Sequence, residues 1–221
     1  MYIYEQHFSL QRVDLLHVET QLKKRWSVDY KWGRRQANIW DSQTNFIYTI
    51  PNFDDVLTKI ATVFHSHSHY KAIRNYALNR WYNFQSSIAV EQIFNEHKRV
   101  RKVQYSKDRE KDFYIDGIPF DLKTSVYPAG YDKPVDVAIS DPTDLAKWLY
   151  VNQSKQARFH QANRLFLVLH KKDGEHWKLK AELSWIKLLI DTYLDDYDET
   201  KLMQLKHSVG IVKTDIILGC R

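Results

Sequence analysis

The spacing of apolar residues along the chain alternates between a helical and a strand-like period. Apolar positions recur every three or four residues in four segments, which predicts helices at 53–64, 70–97 (with a break near Asn83), 141–161 and 183–197. Short alternating or continuous apolar runs predict strands at 101–106, 112–116, 118–125, 135–140, 164–171, 172–183 and 208–218. This interleaving indicates an α/β fold with a central mixed β-sheet of five or six strands and helices on both sides.

The first 50 residues show no helical period, and the segment 38–50 alternates weakly before Pro51. We therefore expect a β-rich N-terminal extension over residues 1–50 and a catalytic core over residues 70–170. Glycine (6) and proline (5) are scarce, which argues against long flexible linkers, so residues 1–221 are expected to form a single domain.

Composition narrows the class of protein. Hydrophobic residues make up 43% and charged residues 27% of the 221 positions, as in ordinary globular proteins. The one cysteine, Cys220, excludes a disulfide framework or a cysteine-based zinc site within one chain and favours a reducing, cytoplasmic setting. No apolar run reaches the roughly 18 residues that cross a bilayer, so no membrane partner is expected. The N-terminus also lacks the apolar stretch of a secretory signal.

Residues 110–125, EKDFYIDGIPFDLKTS, hold the most informative local pattern. The pair Asp116-Gly117 predicts a two-residue type I′ turn, because that turn needs positive φ at both central positions. The flanking strands then pair so that Asp112 lies opposite Asp121. Alternation of side chains places Asp112, Asp121 and Lys123 on one face of the hairpin and an apolar set on the other. The apolar set is Phe113, Ile115, Ile118, Phe120 and Leu122.

Two opposed acids create an electrostatic problem. Directly opposed Cβ atoms lie roughly 4.5–5.5 Å apart, so the carboxylates of Asp112 and Asp121 would repel each other unless one is protonated or a cation lies between them. A divalent metal ion with oxygen ligands is one solution, and Lys123 would then lie beside it and contact an anionic substrate oxygen or a water. The alternative is a solvated strand face with ordinary ion pairs, which contribute little to stability.

The hairpin resembles that of the PD-(D/E)xK nuclease superfamily, the restriction-endonuclease-like fold, in which an Asp is followed on the next strand by (Asp or Glu)-x-Lys. The matching residues are Asp112 and the triplet Asp121-Leu122-Lys123. The triplet alone is a loose signal, since Asp/Glu-x-Lys recurs at three other places and Lys, not Pro, precedes Asp112. Asp116 is a rival for the first Asp, although the turn requires it.

The resemblance implies further site residues. A preceding helix in the family supplies a Glu, and Glu91 matches it, because it follows Phe84 and Ile88 at helical spacing; the alternative is that Glu91 is simply exposed. Asp112 and Asp121 would bind Mg²⁺, for which Mn²⁺ can substitute, with the Leu122 carbonyl as a further ligand and Glu91 at a second metal or a metal-bound water. Lys123 would position the attacking water or stabilise the transition state.

The function that the resemblance implies is a metal-dependent DNA endonuclease that acts on double-stranded DNA as a homodimer. Type II restriction, repair and mobile-element enzymes are all compatible with it. The alternative is a catalytically inactive nucleic-acid-binding or protein-interaction module on the same fold. A formal net charge of +6 permits a polyanionic partner in either case.

Basic residues interleaved with aromatic ones indicate where DNA would bind, because cations meet phosphates and aromatic rings stack on bases. The richest segment is 23–36, with Trp26, Tyr30 and Trp32; the alternative is a solvated basic face over core aromatics. The segment 97–102 adds charge before the hairpin, and the later helix offers two glutamines as candidates. The predicted DNA-contacting residues are Lys23, Lys24, Arg25, Lys31, Arg34, Arg35, Lys98, Arg99, Arg101, Gln153 and Gln156.

Alternating histidines at His65, His67 and His69 form a second metal candidate, since in an extended segment all three would share a face. No fourth ligand is evident, and a polar loop is the favoured interpretation of the segment. A small-molecule enzyme with zinc at this segment is therefore a third hypothesis.

Overall fold

The structure is a computed structural model that describes residues 12–31, 38–103, 111–153, 162–207 and 210–221. Its α-helices are α1 (Leu15–Lys24), α2 (Asn38–Gln43), α3 (Phe53–Phe64), α4 (Tyr70–Asn95), α5 (Val135–Ser140), α6 (Thr143–Gln153) and α7 (Leu183–Asp195). Its strands are β1 (Val100–Lys102), β2 (Phe113–Ile115), β3 (Ile118–Val126), β4 (Arg164–His170), β5 (Met203–His207) and β6 (Gly210–Cys220). No helix in these ranges combines the length and the apolar character needed to cross a bilayer.

The chain divides into two compact units. The first comprises Met1–Gln92 and Lys180–Ser184, and the second comprises Ile93–Leu179 and Trp185–Arg221. The first unit holds α1 to α3 and most of α4, whereas the second holds the β-strands, α5, α6 and nearly all of α7. The predicted catalytic core, 70–170, therefore takes residues from both units.

The first unit is helical, so the predicted β-rich N-terminal extension is wrong for the residues that the structure describes. α1 begins after Asp14, whose carboxylate caps the helix by accepting hydrogen bonds from the N–H groups of Leu16 (3.0 Å) and His17 (3.1 Å). The buried side of α1 includes Glu19 and Gln21. These polar residues interrupt the apolar period by which the helix would be recognised in the sequence.

Residues 38–50, predicted to be extended, form α2 and the short 3-10 helix Asn45–Tyr48. Trp40, Thr44 and Ile47 are buried, at spacings of four and three residues, and this helical period dominates over the weak alternation. The Trp40 ring packs edge-on against Tyr76 of α4, with 5.5 Å between ring centroids. α3 has the predicted bounds, and α4 is continuous, without the break expected near Asn83.

The six strands of the described residues form one mixed sheet in the order β1-β2-β3-β4-β6-β5. β1 and β3 are antiparallel to β2, which lies between them. β4 is parallel to both β3 and β6, and β5 is antiparallel to β6. The predicted α/β class with a mixed sheet of five or six strands is confirmed.

Helices cover both faces of the sheet in the second unit. On one face, Phe166 of β4 belongs to a hydrophobic cluster with α5 and α6. On the other face, α7 packs so closely on β6 that a Cβ at Gly219 would lie 2.7 Å from Leu189. Phe94, near the end of α4, stacks on Phe113 of β2 with 4.8 Å between ring centroids. The sheet core is therefore enclosed between two helical layers.

Two predicted strands are helical instead. The segment 135–140 alternates like a strand, but it forms α5 directly after Pro134, burying Ala138 and leaving Val137 and Ile139 exposed. After the turn at Gly174, which has the expected positive φ of 80°, the chain forms the 3-10 helix His176–Ala181 and no return strand. In both segments tertiary packing outweighs the strand-like pattern of the sequence.

The turn between β2 and β3 has the predicted type I′ signature. Asp116 has φ of 46° and Gly117 has φ of 91°, which is the positive pair that this turn requires. A Cβ placed on Gly117 would meet no atom within 4 Å. Substitution there consequently tests backbone conformation without a steric clash.

We expect Gly117→Ala to lower the free energy of unfolding by about 1 kcal/mol, because an alanine at positive φ is strained. Gly117→Asn should lose less, since asparagine adopts this region more readily. Urea denaturation of the two variants and the wild-type chain measures the difference. Equal midpoints for alanine and wild type would contradict the assigned turn.

Candidate active site

The hairpin has the predicted register. β2 pairs with β3 from Phe113↔Phe120 to Ile115↔Ile118, and Phe113, Ile115 and Phe120 are fully buried. Because side chains alternate along each strand, Asp121 and Lys123 lie on the opposite face. The predicted separation of an apolar face from a charged face is confirmed.

Asp112 lies directly before β2, beyond the last described pair, Phe113↔Phe120, so its predicted position opposite Asp121 stays a prediction. Its N–H donates to the Phe120 carbonyl at 2.8 Å, and its carboxylate accepts a hydrogen bond from the Leu122 N–H at 2.7 Å. The side chain thus replaces a backbone carbonyl where the ladder begins. A carboxylate can accept about four hydrogen bonds, so this bond does not by itself prevent Asp112 from binding a cation.

Asp121 is held between two cations. Its side chain is 10% exposed; Arg164 Nε lies 3.4 Å from Oδ2, and Lys123 Nζ donates a hydrogen bond to Oδ1. The Arg164 side chain is 4% exposed and the Lys123 side chain 40%. The carboxylate therefore separates a buried guanidinium from an ammonium that reaches solvent.

The metal ion was expected because the Asp112 and Asp121 carboxylates would repel each other, and these contacts change that argument. Arg164 and Lys123 offset the negative charge of Asp121, so the protein itself supplies positive charge beside this carboxylate. A metal ion bound at Asp121 would instead compete with Lys123 for the carboxylate. Lys123 would then be released toward an incoming anion.

Asn163 and Arg164, at the start of β4, position Asp121, and sequence reasoning missed both. The Asn163 carbonyl accepts the Asp121 N–H at 2.9 Å. The Asn163 side chain donates to the Pro119 carbonyl at 3.1 Å and accepts the Lys213 N–H at 2.8 Å. One amide therefore ties β3 and β6 together at the beginning of β4.

Tyr150 of α6 forms the floor beneath Arg164. The guanidinium lies 4.8 Å from the centroid of the Tyr150 ring, a cation–π contact that favours the charged arginine in a buried position. Burial raises the pKa of Tyr150 to about 12, although the positive charge of Arg164 acts against this rise. The phenol consequently stays neutral near pH 7, and its hydroxyl donates to the Ala162 carbonyl at 3.3 Å.

Glu91, the predicted third carboxylate, is half-buried on α4 in the first unit; its role stays a prediction. Within the ranges described, no three or more His, Cys, Asp and Glu side chains form a group that could hold a metal ion. Asp112 and Asp121 would be the ligands that the hairpin offers to a metal ion, and Mg²⁺ commonly keeps several waters in its shell. The histidine segment is a turn in which His67 Nδ1 accepts the His69 N–H at 3.0 Å.

Arg25, predicted to contact DNA, has a structural role instead. Its side chain is fully buried and donates to the Asp29 carbonyl at 3.1 Å and to Asn79 Oδ1 at 2.7 Å. Burial lowers the pKa of Arg25 to about 10, still well above neutral pH. A fully buried guanidinium cannot reach a phosphate, so this part of the prediction is wrong.

Other predicted DNA-contacting cations in the first unit have acidic partners. Lys23 forms ion pairs with Glu19 (2.6 Å) and Glu182 (3.1 Å), and Lys24 pairs with Asp54. Lys31, which is exposed, lies 3.6 Å from the Asp29 carboxylate. Arg34, Arg35 and Gln156, which were also predicted, lie outside the described residues. Gln153 ends α6, but its side chain is not described.

The basic residues before the hairpin differ in their surroundings. Arg99 donates to the Leu194 carbonyl at 3.1 Å and to the Tyr197 carbonyl at 2.7 Å, which joins β1 to the C-terminal end of α7. Lys98 is exposed, 3.6 Å from an aspartate of α7. Arg101 is exposed and lies over the ring of Tyr114. Lys98, Arg101 and Lys102 are therefore the exposed cations of this segment, and the first two are among the predicted DNA-contacting residues.

We expect Arg164→Met to destabilise the protein by about 3–5 kcal/mol, because it leaves the Asp121 carboxylate buried without its internal partner. The double variant Asp121→Leu/Arg164→Met should be more stable than Arg164→Met alone, since it removes the uncompensated charge. Chemical denaturation of the wild type, both single variants and the double variant gives the coupling energy. A coupling near zero would show that the two side chains act independently.

The chain matches no protein-family model, no curated protein and no solved structure. What the hairpin can do is accordingly inferred from its own residues: a nearly buried carboxylate between two cations, with a second carboxylate at the adjoining strand end.

Proposed function

We propose that the hairpin is the active site of a metal-dependent endonuclease that hydrolyses phosphodiester bonds in DNA. Asp112 and Asp121 would bind Mg²⁺ or Mn²⁺, and Lys123 would contact the phosphate or the attacking water. A homodimer, with one such site in each subunit, would cut both strands of a duplex. Restriction, repair and mobile-element roles are all compatible with this chemistry.

The contact between Lys123 and Asp121 is the observation on which the proposal depends. An Asp-x-Lys triplet is uninformative in sequence, but here it lies on a strand next to a turn, and its two charged side chains meet on the face opposite the buried Phe120. The order of elements also supports the proposal. Helix α4, the β2–β3 hairpin, helix α6 and strand β4 follow one another as the resemblance implies.

The side chains of the hairpin are suited to the chemistry. A divalent metal ion would lower the pKa of a bound water and offset charge that develops on the phosphate. Arg164 contacts Oδ2 of Asp121, and the Asn163 carbonyl accepts the Asp121 N–H. The other carboxylate oxygen, Oδ1, is on the side of Lys123. The Lys123 side chain is long and partly exposed, which would let its ammonium exchange the Asp121 carboxylate for a phosphate oxygen.

The proposal is tested by incubating supercoiled plasmid with the protein in Mg²⁺, in Mn²⁺ and in EDTA. We expect nicked or linear DNA only with metal, and an activity loss of at least about a hundredfold for Asp121→Asn and for Lys123→Met. Lys206→Met, at an exposed position of β5, is a matched lysine control and should keep its activity. Circular dichroism and thermal melting confirm that each variant folds. Wild-type protein that leaves DNA intact with both metals would overturn the proposal.

A non-catalytic nucleic-acid-binding module is the second candidate. It is favoured by the charge balance at Asp121, because Lys123 and Arg164 already neutralise that carboxylate without a metal. The module would bind DNA equally well in EDTA and in Mg²⁺ and would leave it uncut. Metal-dependent cleavage by the wild type, lost in Asp121→Asn, would exclude this candidate.

A further inference from the structure

Three residues line up across the antiparallel part of the sheet. Arg101 of β1 pairs with Tyr114 of β2, and Tyr114 pairs with Pro119 of β3. Directly paired residues share a face, and Pro119 shares its face with Asp121 and Lys123 because they are two and four residues further along β3. Arg101 and Tyr114 therefore lie on the same face as the proposed active site.

Two cations converge on the Tyr114 ring. The Arg101 guanidinium carbon lies 4.1 Å from the ring centroid, and Lys111 Nζ lies 5.4 Å from it. Arg101 is exposed, whereas Tyr114 and Lys111 are half-buried. A guanidinium over a ring is restricted to few rotamers, and its N–H edges point outward, so less side-chain entropy is lost when it binds an anion.

We infer that Arg101, Lys111 and Tyr114 form a phosphate clamp that binds the DNA backbone one or two nucleotides from the phosphate held at Lys123. Tyr114 orders Arg101, and both cations contact phosphodiester oxygens. This inference rests on the proposed function for the identity of the ligand as DNA and for the phosphate at Lys123.

Strand geometry gives the clamp a suitable distance from the site. Tyr114 lies directly across from Pro119 of β3, at the usual strand separation of about 4.8 Å. Asp121, whose carboxylate contacts the Lys123 ammonium, is two residues after Pro119, about 6.7 Å along the strand. The two positions are thus separated by a span that one or two nucleotides of an extended strand can cover. The nearby acids are Asp121, on this face, and Asp112, whose carboxylate accepts the Leu122 N–H. Both are the proposed metal ligands, so a bound divalent ion would offset their repulsion of the phosphates.

Binding is measured without cleavage, by fluorescence anisotropy of a labelled duplex oligonucleotide in EDTA and in Ca²⁺, over a series of salt concentrations. We expect Arg101→Gln to weaken binding about three- to tenfold and to reduce the slope of log affinity against log salt by about one. Tyr114→Leu should weaken binding less, because it frees Arg101 without removing its charge. Tyr114→Phe keeps the ring and should bind as the wild type does.

Arg221→Gln is the matched control, because Arg221 also stacks on an aromatic ring, 4.8 Å from the centroid of Trp185, at the end of β6. Equal losses for Arg101→Gln and Arg221→Gln would overturn the clamp and indicate a general charge effect. Loss of binding in Arg101→Gln while the wild type cleaves no DNA would retain the clamp and reject the nuclease. Cleavage by the wild type, together with unchanged binding in Arg101→Gln, would retain the nuclease and reject the clamp.

Discussion

The pairing of β3 with β4 brings Asp121 against Arg164, and the charged face of the hairpin depends on this contact. A carboxylate that is 10% exposed needs compensation, and Arg164 supplies it from a position that solvent barely reaches. With one oxygen held from inside, the other is directed to Lys123 and the surface. An internal ion pair of this kind adds little net stability over an apolar replacement, so its value lies in fixing the direction of the acid.

The three charged side chains at this contact differ in how far solvent reaches them. Arg164 is buried on the Tyr150 ring, Asp121 is nearly buried, and Lys123 is partly exposed. A ligand that approaches from solvent therefore meets the more exposed Lys123 first and the Asp121 carboxylate second. For a nuclease this order would couple phosphate binding at Lys123 to metal binding at Asp121, because each relieves the competition of the other. For a binding module the same order would hold the Lys123 ammonium in a fixed position for contact with a phosphate, because Asp121 is itself held by Arg164.

Local rules were sufficient to predict the hairpin. The turn at Asp116-Gly117 and the alternation on either side specify register, face and the neighbourhood of Asp121 and Lys123, all within sixteen residues of sequence. Arg164 was missed because parallel pairing joins segments 43 positions apart, and nothing in the β3 sequence selects its neighbour. The one available signal was an arginine at the head of a continuous apolar strand, a position where an unpaired charge would be unstable.

The N-terminal helices were missed for a related reason. Gln21 bonds to a backbone group 32 positions away, and Glu19 bonds to Ser184, 165 positions away. Such partners allow polar residues to occupy the buried side of α1, and the apolar period disappears from the sequence. Arg25 was mistaken for a surface cation because its partners are also invisible in the local sequence. In the structure it is buried and donates hydrogen bonds to Asp29 and Asn79.

The three-residue strand β1 forms the border of the sheet in the described residues. Unpaired backbone groups at such a border can recruit a strand from another molecule, and short length together with exposed basic side chains discourages this. Arg101 and Lys102 provide that protection here. These two cations would thus oppose edge-to-edge joining of neighbouring copies of the chain, and a chain made neutral at this border would lose that protection.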